Sequence, residues 1–445
     1  MSGTGHLDSA LCYGRAPGSW PGLGHIPALM HHPLRLFESL PDHGDLVEVR
    51  LGRQPALVLC HPHLAREVLT DFRGFDRIGP HYDRLRRSMG NGLATASRED
   101  HRRQRLIMQP AFRREYMHGY ASVMHQEIEM AIGQWREGQL VDMVKEMFRL
   151  TSGIALRALF SSALNSGEAE GLRTALDVFL KGTYARVVFP PAARLPTPGN
   201  LRYTRALAYW GAQVRRLVDE SRRQGAEGDD LMSRLVRACD DEGKGMSDRE
   251  LSDQVAVLLL AGGETTSAAV VWSMHLLNNH PAVLAALRDE ADAILDGGVA
   301  TWESLPRLEL TARVVQEALR LYPPAWVLLR VATRDTSLAG QRVPAGSMVV
   351  FSPYVLHRRA DIFPQPHRFD PDRWLAPDAH RGAFLPFGTG AAKCIGEEFG
   401  LAEATLILAS IAGRWNFGLK PGVTVPARAR AVLAPKRFPV YLSAR

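Results

Sequence analysis

Cysteine is scarce in this sequence: the 445 residues include only Cys12, Cys60, Cys239 and Cys394. These cysteines lie far apart and form no CxxC pair and no zinc-like spacing, which argues against a disulfide framework and a structural zinc site. Residues 1–16 lack the continuous apolar core of a signal peptide. No run of 18 apolar residues occurs either, so we expect a cytoplasmic protein without a membrane anchor.

The sequence also lacks a basic block interleaved with aromatic residues, although its formal net charge is +7. The scatter of its arginines disfavours a nucleic-acid partner. A basic face that docks an acidic redox protein explains the charge at least as well. With 46% hydrophobic and 23% charged residues, the composition is that of an ordinary soluble globular protein.

No linker of low complexity, no repeat and no shift in composition divides the chain. We therefore predict one domain over residues 1–445, with a short lead-in rich in Pro and Gly over residues 1–33. The fold class expected is mainly α with a small β region.

Local patterns predict where the strands and helices lie. Alternating residues at 47–51 and a second apolar run at 56–60 predict a β-hairpin, and a helix should follow over residues 62–70. Helices then dominate to about residue 330, and short strands return at 345–352 and near the C-terminus. The loops that we predict within this region are 72–98, 190–200, 223–229 and 293–305.

One long helix stands out in the pattern. Ser247 and Glu250 form a capping box, and residues 279–281 supply the stop signal. The roughly 32 residues between them would span roughly 48 Å. Because residues 255–261 are apolar on all sides, this helix should run through the centre of the protein.

In the middle of that helix lies the segment Ala261–Thr266, AGGETT. Two adjacent glycines cost a helix about 1 kcal/mol each relative to alanine, and a carboxylate in an apolar interior is costly unless it is paired or protonated. The pair of glycines is explained either by a kink packed against a neighbouring helix or by room for a ligand. In the second case Glu264 would offer a proton donor and Thr265 a hydroxyl beside that ligand.

A second constellation is FGTGAAKCIG, residues 387–396. It follows a loop and precedes an apolar helix predicted over residues 397–414, so Cys394 should lie near a helix N-terminus, where a thiolate is favoured. Glycines in this segment would let a large planar group approach the backbone. The alternative is an inert core cysteine.

A third pattern, EALR, closes an amphipathic helix before Tyr322. Glu317 and Arg320 are three residues apart and can pair on one helical face, as they do on many solvated helices. Arg373, further along the chain, could join that pair.

Together these segments resemble the cytochrome P450 family, over nearly the whole chain. FGTGAAKCIG is similar to the family's haem-binding loop FxxGxRxCxG, AGGETT to its (A/G)Gx(D/E)T(T/S) motif, and EALR to its ExxR motif. Their order along the chain supports the resemblance, because Glu317 follows Thr265 by 52 residues, and Arg373 and Cys394 follow at intervals of 56 and 21.

The resemblance implies the cytochrome P450 fold, a heme b cofactor and a role for each motif. Cys394 would be the axial thiolate ligand of the iron, and Glu264 and Thr265 would deliver protons to bound dioxygen. Glu317, Arg320 and Arg373 would form a structural triad. The cofactor-binding residues implied are His101, Arg105, Arg330, Phe387, Gly388, Cys394, Gly396 and Ala261.

The propionates of a haem need cations or hydrogen-bond donors. The resemblance assigns this role to His101 and Arg105, four residues apart on one helical face, and to Arg330; a solvated basic helix is the alternative for the first two. Two residues before the cysteine, where the family usually has Arg or His, this chain has Ala392. One propionate contact is therefore missing or is supplied by another group.

Three segments are expected to form the substrate pocket by resemblance: residues 75–96, 184–203 and 326–329. Trp326, Val327 and Leu328 give the third an apolar lining suited to a lipophilic ligand, although such residues also form ordinary cores. The chain resembles bacterial enzymes of secondary metabolism and antibiotic biosynthesis. A terpenoid-like substrate is favoured, and a polyketide macrocycle is the alternative.

The expected reaction is a monooxygenation driven by NAD(P)H through a separate ferredoxin and ferredoxin reductase, in a monomeric enzyme. Five basic residues would form the docking face, around the thiolate side: Arg102, Arg103, Arg113, Arg114 and Lys393. A peroxygenase or isomerase of the same fold is a second hypothesis, disfavoured by the intact Glu264–Thr265 pair. A haem-based sensor or carrier is a third.

Overall fold

The computed structural model describes residues 11–160, 166–188, 195–223, 228–376, 380 and 382–445. The fold is mainly α with a smaller β part, as the sequence predicted. The α-helices are α1 Ile26–His31, α2 Pro33–Ser39, α3 Pro62–Thr70, α4 Pro80–Met89, α5 Arg98–Met108, α6 Arg114–Gly133, α7 Met143–Phe160, α8 Ser166–Val188, α9 Pro198–Arg223, α10 Leu231–Arg237, α11 Asp248–Asn278, α12 Pro281–Leu295, α13 Glu309–Leu321, α14 Pro353–Leu356 and α15 Glu397–Arg414.

The strands are short and lie mainly towards the two ends of the chain. They are β1 Tyr13–Arg15, β2 Leu46–Leu51, β3 Gln54–Leu59, β4 Phe75–Asp76, β5 Leu140–Asp142, β6 Leu328–Ala332, β7 Thr336–Leu338, β8 Gln341–Val343, β9 Met348–Phe351, β10 Trp415–Leu419, β11 Ala427–Ala429, β12 Leu433–Pro435 and β13 Pro439–Ala444.

Residues cluster into two compact units. The first, here called the sheet unit, comprises Met1–Gly79, Ala325–Arg368 and Ala376–Cys394. The second, the helical unit, comprises Pro80–Pro324, Phe369–Leu375 and Ile395–Arg445. The single domain expected for the whole chain stays a prediction.

The sheet unit is built on a six-stranded sheet of order β1-β2-β3-β9-β6-β4. The predicted hairpin is confirmed as antiparallel β2 and β3, which pair Val47 with Val58. Strand β9 then adds to β3 in parallel and to β6 antiparallel. Apolar side chains of α3, including the fully buried Leu64, pack with Leu46, Leu59 and Phe351 of the sheet. The apolar positions of the alternating strand pattern therefore lie on the face of the sheet that packs against this helix.

Helix α11, in the helical unit, is the long helix that the sequence predicted. Its 31 residues begin after N-cap Ser247, whose side chain and that of Glu250 form the predicted capping box. Its residues from Thr266 to Met274 are buried on every face, and it packs along α7. By length and composition α11 is the one helix among the described residues that could cross a membrane, but 67% of its most apolar stretch is buried in the protein. Core helices meet the same criterion, so no clear membrane anchor is present in the part of the chain described here.

Two predicted loops hold helical structure instead. Residues 72–98 contain α4, which begins at Pro80; proline is well suited to the first helical position, but the strongly charged residues that follow hide the apolar stripe. Residues 293–305 contain the last turn of α12 and the start of a 3-10 helix, Trp302–Arg307. Of the predicted loop 190–200, residues 198–200 already belong to α9, and 190–194 lie outside the described residues. The predicted loop 223–229 is described only at its ends.

Candidate functional site

In the sheet unit, the backbone around Cys394 forms a tight loop. A 3-10 turn covers Gly390–Ala392, and the Cys394 N–H donates to the Phe387 carbonyl oxygen at 2.9 Å. Further back, the Leu385 N–H donates to Nε2 of the buried His357 at 2.9 Å. These bonds fix the loop, and Cys394 stays exposed, so it is not an inert core residue.

Two glycines shape this loop in different ways. Gly388 and Gly390 have φ values of +70° and +72°, which side chains with a Cβ rarely adopt. A Cβ on Gly390 would lie 2.6 Å from the Leu69 carbonyl oxygen at the end of α3, whereas a Cβ on Gly388 would meet nothing within 4 Å. Gly390 therefore lets the loop pack on α3, and Gly388 leaves the surface of the loop open to a planar group.

The other predicted residues of the sheet unit lie on β6 or just before it. Arg330 is 4% exposed and its Nη1 donates to the Leu329 carbonyl oxygen at 2.8 Å. Trp326 is buried and packs edge-on against Phe37, with ring centroids 5.4 Å apart. Val327 and Leu328 are half-buried. Of the three predicted pocket residues, Trp326 is thus the least suited to contact a ligand.

In the helical unit, the AGGETT segment lies on α11, where Ala261 is exposed and Gly263 is buried. The Thr265 hydroxyl donates to the Ala261 carbonyl oxygen. The buried Thr151 hydroxyl of α7 lies 2.6 Å from the Gly263 carbonyl oxygen and donates to it. Two carbonyl oxygens of the segment that precedes Glu264, those of Ala261 and Gly263, thus accept from hydroxyl groups.

The two glycines of this segment face α7. A Cβ on Gly263 would lie 3.4 Å from the Cβ of Ser152, and one on Gly262 would lie 3.6 Å from the Cβ of Ala155. Both are ordinary van der Waals distances. Close packing of α11 on α7 therefore accommodates glycine here but does not require it, so both explanations of the glycine pair stay open.

Glu264 has a carboxyl group suited to proton transfer near neutral pH. Burial raises its pKa to about 6, repulsion from Asp177 adds to the increase, and Arg428 opposes it. A carboxyl group with a pKa close to the working pH can both give and accept a proton.

Glu317, Arg320 and Arg373 meet in the helical unit, as the sequence predicted. Glu317 and Arg320 are fully buried and form a double ion pair, with N–O distances of 2.7 and 2.8 Å. Nε of Arg373 lies 3.5 Å from Glu317 Oε1. Glu317 also accepts from the Asp370 backbone N–H at 3.1 Å and from the Trp374 indole N–H at 3.0 Å. These donors offset the cost of burying the carboxylate and tie α13 to the 3-10 segment Pro371–Leu375.

His101 and Arg105 lie on α5 one turn apart. His101 is 2% exposed, and Arg105, half-buried, places Nε 3.3 Å from Gln109 Oε1. Burial of His101 argues against the alternative of a fully solvated basic helix.

Arg103 was wrongly assigned to the predicted docking face. Its guanidinium makes ion pairs with Asp240 at 2.7 Å and with Glu250 at 2.6 Å. Arg102, Arg113 and Arg114 are exposed. Both partners of Arg103 lie more than a hundred residues away in the sequence. The spacing of charges along the chain therefore could not reveal these contacts.

Glu403 is a titratable residue that the sequence analysis missed. It lies on α15 and is 1% exposed, and neither carboxyl oxygen makes a well-formed hydrogen bond with the described residues. Burial raises its pKa to about 8, although the nearby Thr266 hydroxyl opposes this increase. The available signal was a single carboxylate at the start of the apolar run Ala402–Ala412.

The comparisons with known proteins agree on one family. The profile of the family described as cytochrome P450 matches residues 15–440. Pentalenene oxygenase of Streptomyces avermitilis is 42% identical over 97% of both chains. Cyclooctat-9-en-7-ol 5-monooxygenase of Streptomyces melanosporofaciens is 44% identical over 93% of this chain and 91% of its own.

The structural comparison leads to the same family. A crystal structure of the cytochrome P450DA heme domain superposes with a TM-score of 0.88 and 27% identity, over 98% of this chain and 99% of the other. The range matched by the family profile, residues 15–440, includes the segments that hold Cys394, Glu264 and Glu317. The chain therefore belongs to the cytochrome P450 family and is a haem-dependent oxidoreductase of the monooxygenase class.

Proposed function

We propose that this protein is a haem-thiolate monooxygenase that oxidises a terpenoid-like natural product in bacterial secondary metabolism. The observation that carries the proposal is the exposure of Cys394, held in a loop that Gly388 leaves open. A cysteine packed tightly in the protein core would leave no room for a haem beside its sulfur.

The residues present fit a heme b cofactor. In the sheet unit, Cys394 would hold the iron, Phe387 and Gly388 would contact the macrocycle, and Arg330 would bind a propionate. In the helical unit, His101 and Arg105 would bind propionate, and Gly396 and the exposed Ala261 would leave room for the ring. The bound haem would supply the activation of dioxygen, which amino-acid side chains cannot perform.

Glu264 and Thr265 would handle the protons of the reaction. The Glu264 carboxyl, with its pKa raised to about 6 by burial, can take up a proton and release it again near neutral pH. The Thr265 hydroxyl gives its hydrogen to the Ala261 carbonyl, so its oxygen can accept a hydrogen bond. Glu317, Arg320 and Arg373 would have a structural role only.

A terpenoid is favoured over the alternative polyketide macrocycle by the names of two relatives. One is called an oxygenase of pentalenene, and the other a monooxygenase of cyclooctat-9-en-7-ol. At 42% and 44% identity over most of both chains, a related substrate class is a reasonable inference.

Electrons would come from NAD(P)H through a ferredoxin and its reductase. A docking face for the acidic ferredoxin is proposed around Arg102, Arg113 and Arg114, which are exposed on α5, at its C-terminal end and at the start of α6. Lys393, which is also exposed, stays in the proposed docking face as the sequence predicted. Arg103 is no longer part of it. A cytoplasmic location remains part of the proposal, supported by the few and scattered cysteines, and so does a monomeric state.

The decisive experiment is the carbon monoxide difference spectrum of the dithionite-reduced protein. We expect the Soret band at the long-wavelength position diagnostic of thiolate ligation, and we expect Cys394→Ser to abolish it. Cys239→Ser, which also removes an exposed thiol, is the matched control and should keep the band. A wild-type spectrum of the histidine-ligated kind, or an unchanged spectrum in Cys394→Ser, would refute the proposal.

A further inference from the structure

One buried histidine of the sheet unit, His357, is hydrogen-bonded to the loop that carries Cys394. It follows helix α14 and is 0% exposed. Its backbone N–H donates to the Pro353 carbonyl oxygen at 2.9 Å. At the other end of α14, the buried Ser352 hydroxyl donates to the Trp326 carbonyl oxygen at 2.6 Å. The backbone that carries the imidazole is therefore firmly anchored in the sheet unit.

Aromatic neighbours also hold the imidazole ring itself. The ring of Phe384 lies 5.3 Å from that of His357, at a tilt of 37°. The ring of Phe363 lies 6.1 Å away and meets the imidazole edge-on. Because close aromatic contacts have preferred geometries, these two rings restrict the rotation of the imidazole. His357 thus presents its Nε2 atom to the loop in one direction.

The hydrogen bond to the loop defines the protonation state of this ring. Nε2 accepts from the Leu385 backbone N–H at 2.9 Å, and an imidazole nitrogen can accept only when it carries no hydrogen. The hydrogen of the neutral ring is therefore on Nδ1. An imidazolium carries a hydrogen on both nitrogens and could not make this bond. His357 thus serves the loop as a neutral acceptor.

A short series of backbone bonds connects this acceptor to the cysteine. The Leu385 carbonyl oxygen accepts from the Gly388 N–H at 3.1 Å, and the Phe387 carbonyl oxygen accepts from the Cys394 N–H at 2.9 Å. Leu385 is 3% exposed and belongs to the hydrophobic core of the sheet unit. A buried N–H without an acceptor is costly. Loss of the imidazole would therefore displace Leu385 and, with it, the turn that fixes the backbone of Cys394.

We infer that His357 is a positioning residue for the cysteine ligand: by accepting from the Leu385 N–H, it keeps the loop in the shape in which Cys394 can bind iron. This inference rests on the proposed function. The effect of His357 passes through the backbone of the loop. Loss of the acceptor should therefore leave the protein folded and weaken thiolate ligation, which the carbonyl spectrum reports directly.

The test compares two replacements of similar length and volume. His357→Gln supplies an amide oxygen that can accept from the Leu385 N–H, whereas the thioether of His357→Met is a weak acceptor. Carbon monoxide difference spectra of the reduced holoenzyme measure the share of haem with thiolate ligation. Hydrogen exchange followed by mass spectrometry measures, independently of the haem spectrum, how well the Leu385 amide is protected.

We expect the Leu385 amide to exchange roughly tenfold faster in His357→Met than in the wild type, which corresponds to about 1.4 kcal/mol. In the same variant, most of the thiolate carbonyl band should be replaced by the short-wavelength band of haem without a thiolate ligand. His357→Gln should restore both the protection of Leu385 and the thiolate band towards the wild type, because it restores the acceptor.

His25 offers a matched control within the sheet unit. It is 2% exposed, and its Nδ1 accepts from the Arg50 backbone N–H at 2.9 Å. His25→Met therefore removes a buried acceptor of the same kind from a different backbone N–H. We expect faster exchange at Arg50, unchanged exchange at Leu385 and the thiolate band of the wild type. A loss of the band equal to that in His357→Met would reveal general destabilisation and overturn the inference.

The remaining outcomes separate this inference from the proposed function. A full thiolate band in His357→Met, or equal losses in His357→Met and His357→Gln, would overturn the inference alone. If neither variant folds, nitrogen NMR of the wild type decides, because a hydrogen on Nε2 of His357 contradicts the inference and its absence supports it. A wild type without the thiolate band, in which exchange at Leu385 still accelerates in His357→Met, would overturn the proposed function and leave the hold of His357 on the loop intact.

Discussion

The raised pKa values of two carboxyl groups, those of Glu403 and Glu264, should make the stability and the turnover of this protein depend on pH. Glu403 is the clearest case, because its buried carboxyl has a pKa raised from 4.5 to about 8. Between these pH values the folded state binds a proton that the unfolded state has lost. The free energy of unfolding should therefore fall as the pH rises from about 4.5 to about 8 and level off above that.

Glu403→Gln should remove this contribution. At about 1.4 kcal/mol per pKa unit, we expect the wild type to lose a few kcal/mol between pH 5 and pH 8 from this residue, and the variant to lose much less. Urea unfolding at both pH values measures the difference. Glu398→Gln, at an exposed position of the same helix, should keep the slope of the wild type, and an equal slope in Glu403→Gln would contradict the assignment.

The raised pKa of Glu264 should make turnover depend on pH. As the pH rises above about 6, the protonated fraction of this carboxyl falls, so proton delivery should slow. We expect product formation per NAD(P)H consumed to decline over that range in the wild type. In Glu264→Gln the ratio should be low at every pH, and a variant that retains the wild-type profile would rule out this role.

At the scale of elements, the glycines of α11 allow a role in helix packing to be tested separately from a role in ligand binding. Gly263→Ala should leave the free energy of unfolding unchanged or raise it by up to about 1 kcal/mol, because the added methyl group meets Ser152 at an ordinary distance. If the glycine serves the ligand, turnover should fall nonetheless. Thermal unfolding and product formation are measured side by side.

The matched control for this substitution is Gly413→Ala on α15. A Cβ there would lie 3.6 Å from the Cβ of Ala291, so the packing change is similar and the site is different. This variant should match Gly263→Ala in stability and keep the turnover of the wild type. Normal turnover in Gly263→Ala would instead favour the first explanation of the glycine pair, a helix kink packed against a neighbouring helix.

The sequence predicted helices correctly where the residues that determine them lie within the helix or next to it. The hydroxyl and carboxylate of the capping box fixed the start of α11, and α3 and α15 lie over the residues predicted for them. Helix α4 was missed because its charged residues mask a narrow apolar stripe. Likewise, Trp374 donates to Glu317 across 57 residues of sequence, and no pattern within a helix could reveal that bond.

The charge of the whole molecule bears on how it meets a redox partner. Its net charge of +7 should accelerate association with an acidic ferredoxin at low salt. Reversing Arg113 and Arg114 to Glu changes the charge by −4 at two exposed positions. We expect turnover driven by the ferredoxin to drop several-fold and to become less sensitive to salt.

The control for this prediction makes the same change of charge elsewhere. Arg202 and Arg205 are exposed on α9, and reversing both tests whether total charge or location matters. Equal losses in the two double variants would show a general field effect and no docking face around α6. Dithionite-driven reduction should be unaffected in both.

A cavity of about 170 Å³ among α4, α8, α9 and α11 sets a boundary for redesign of this enzyme. Its wall at Gly90 is backbone in a conformation that other residues rarely adopt, and Asp253 leaves no space for a side chain there. Substitutions at this wall would displace the loop and not reshape the pocket. A library for new substrates should therefore leave residues 90–93 fixed and vary Phe179, Leu207 and Val214, where side chains alone determine the volume.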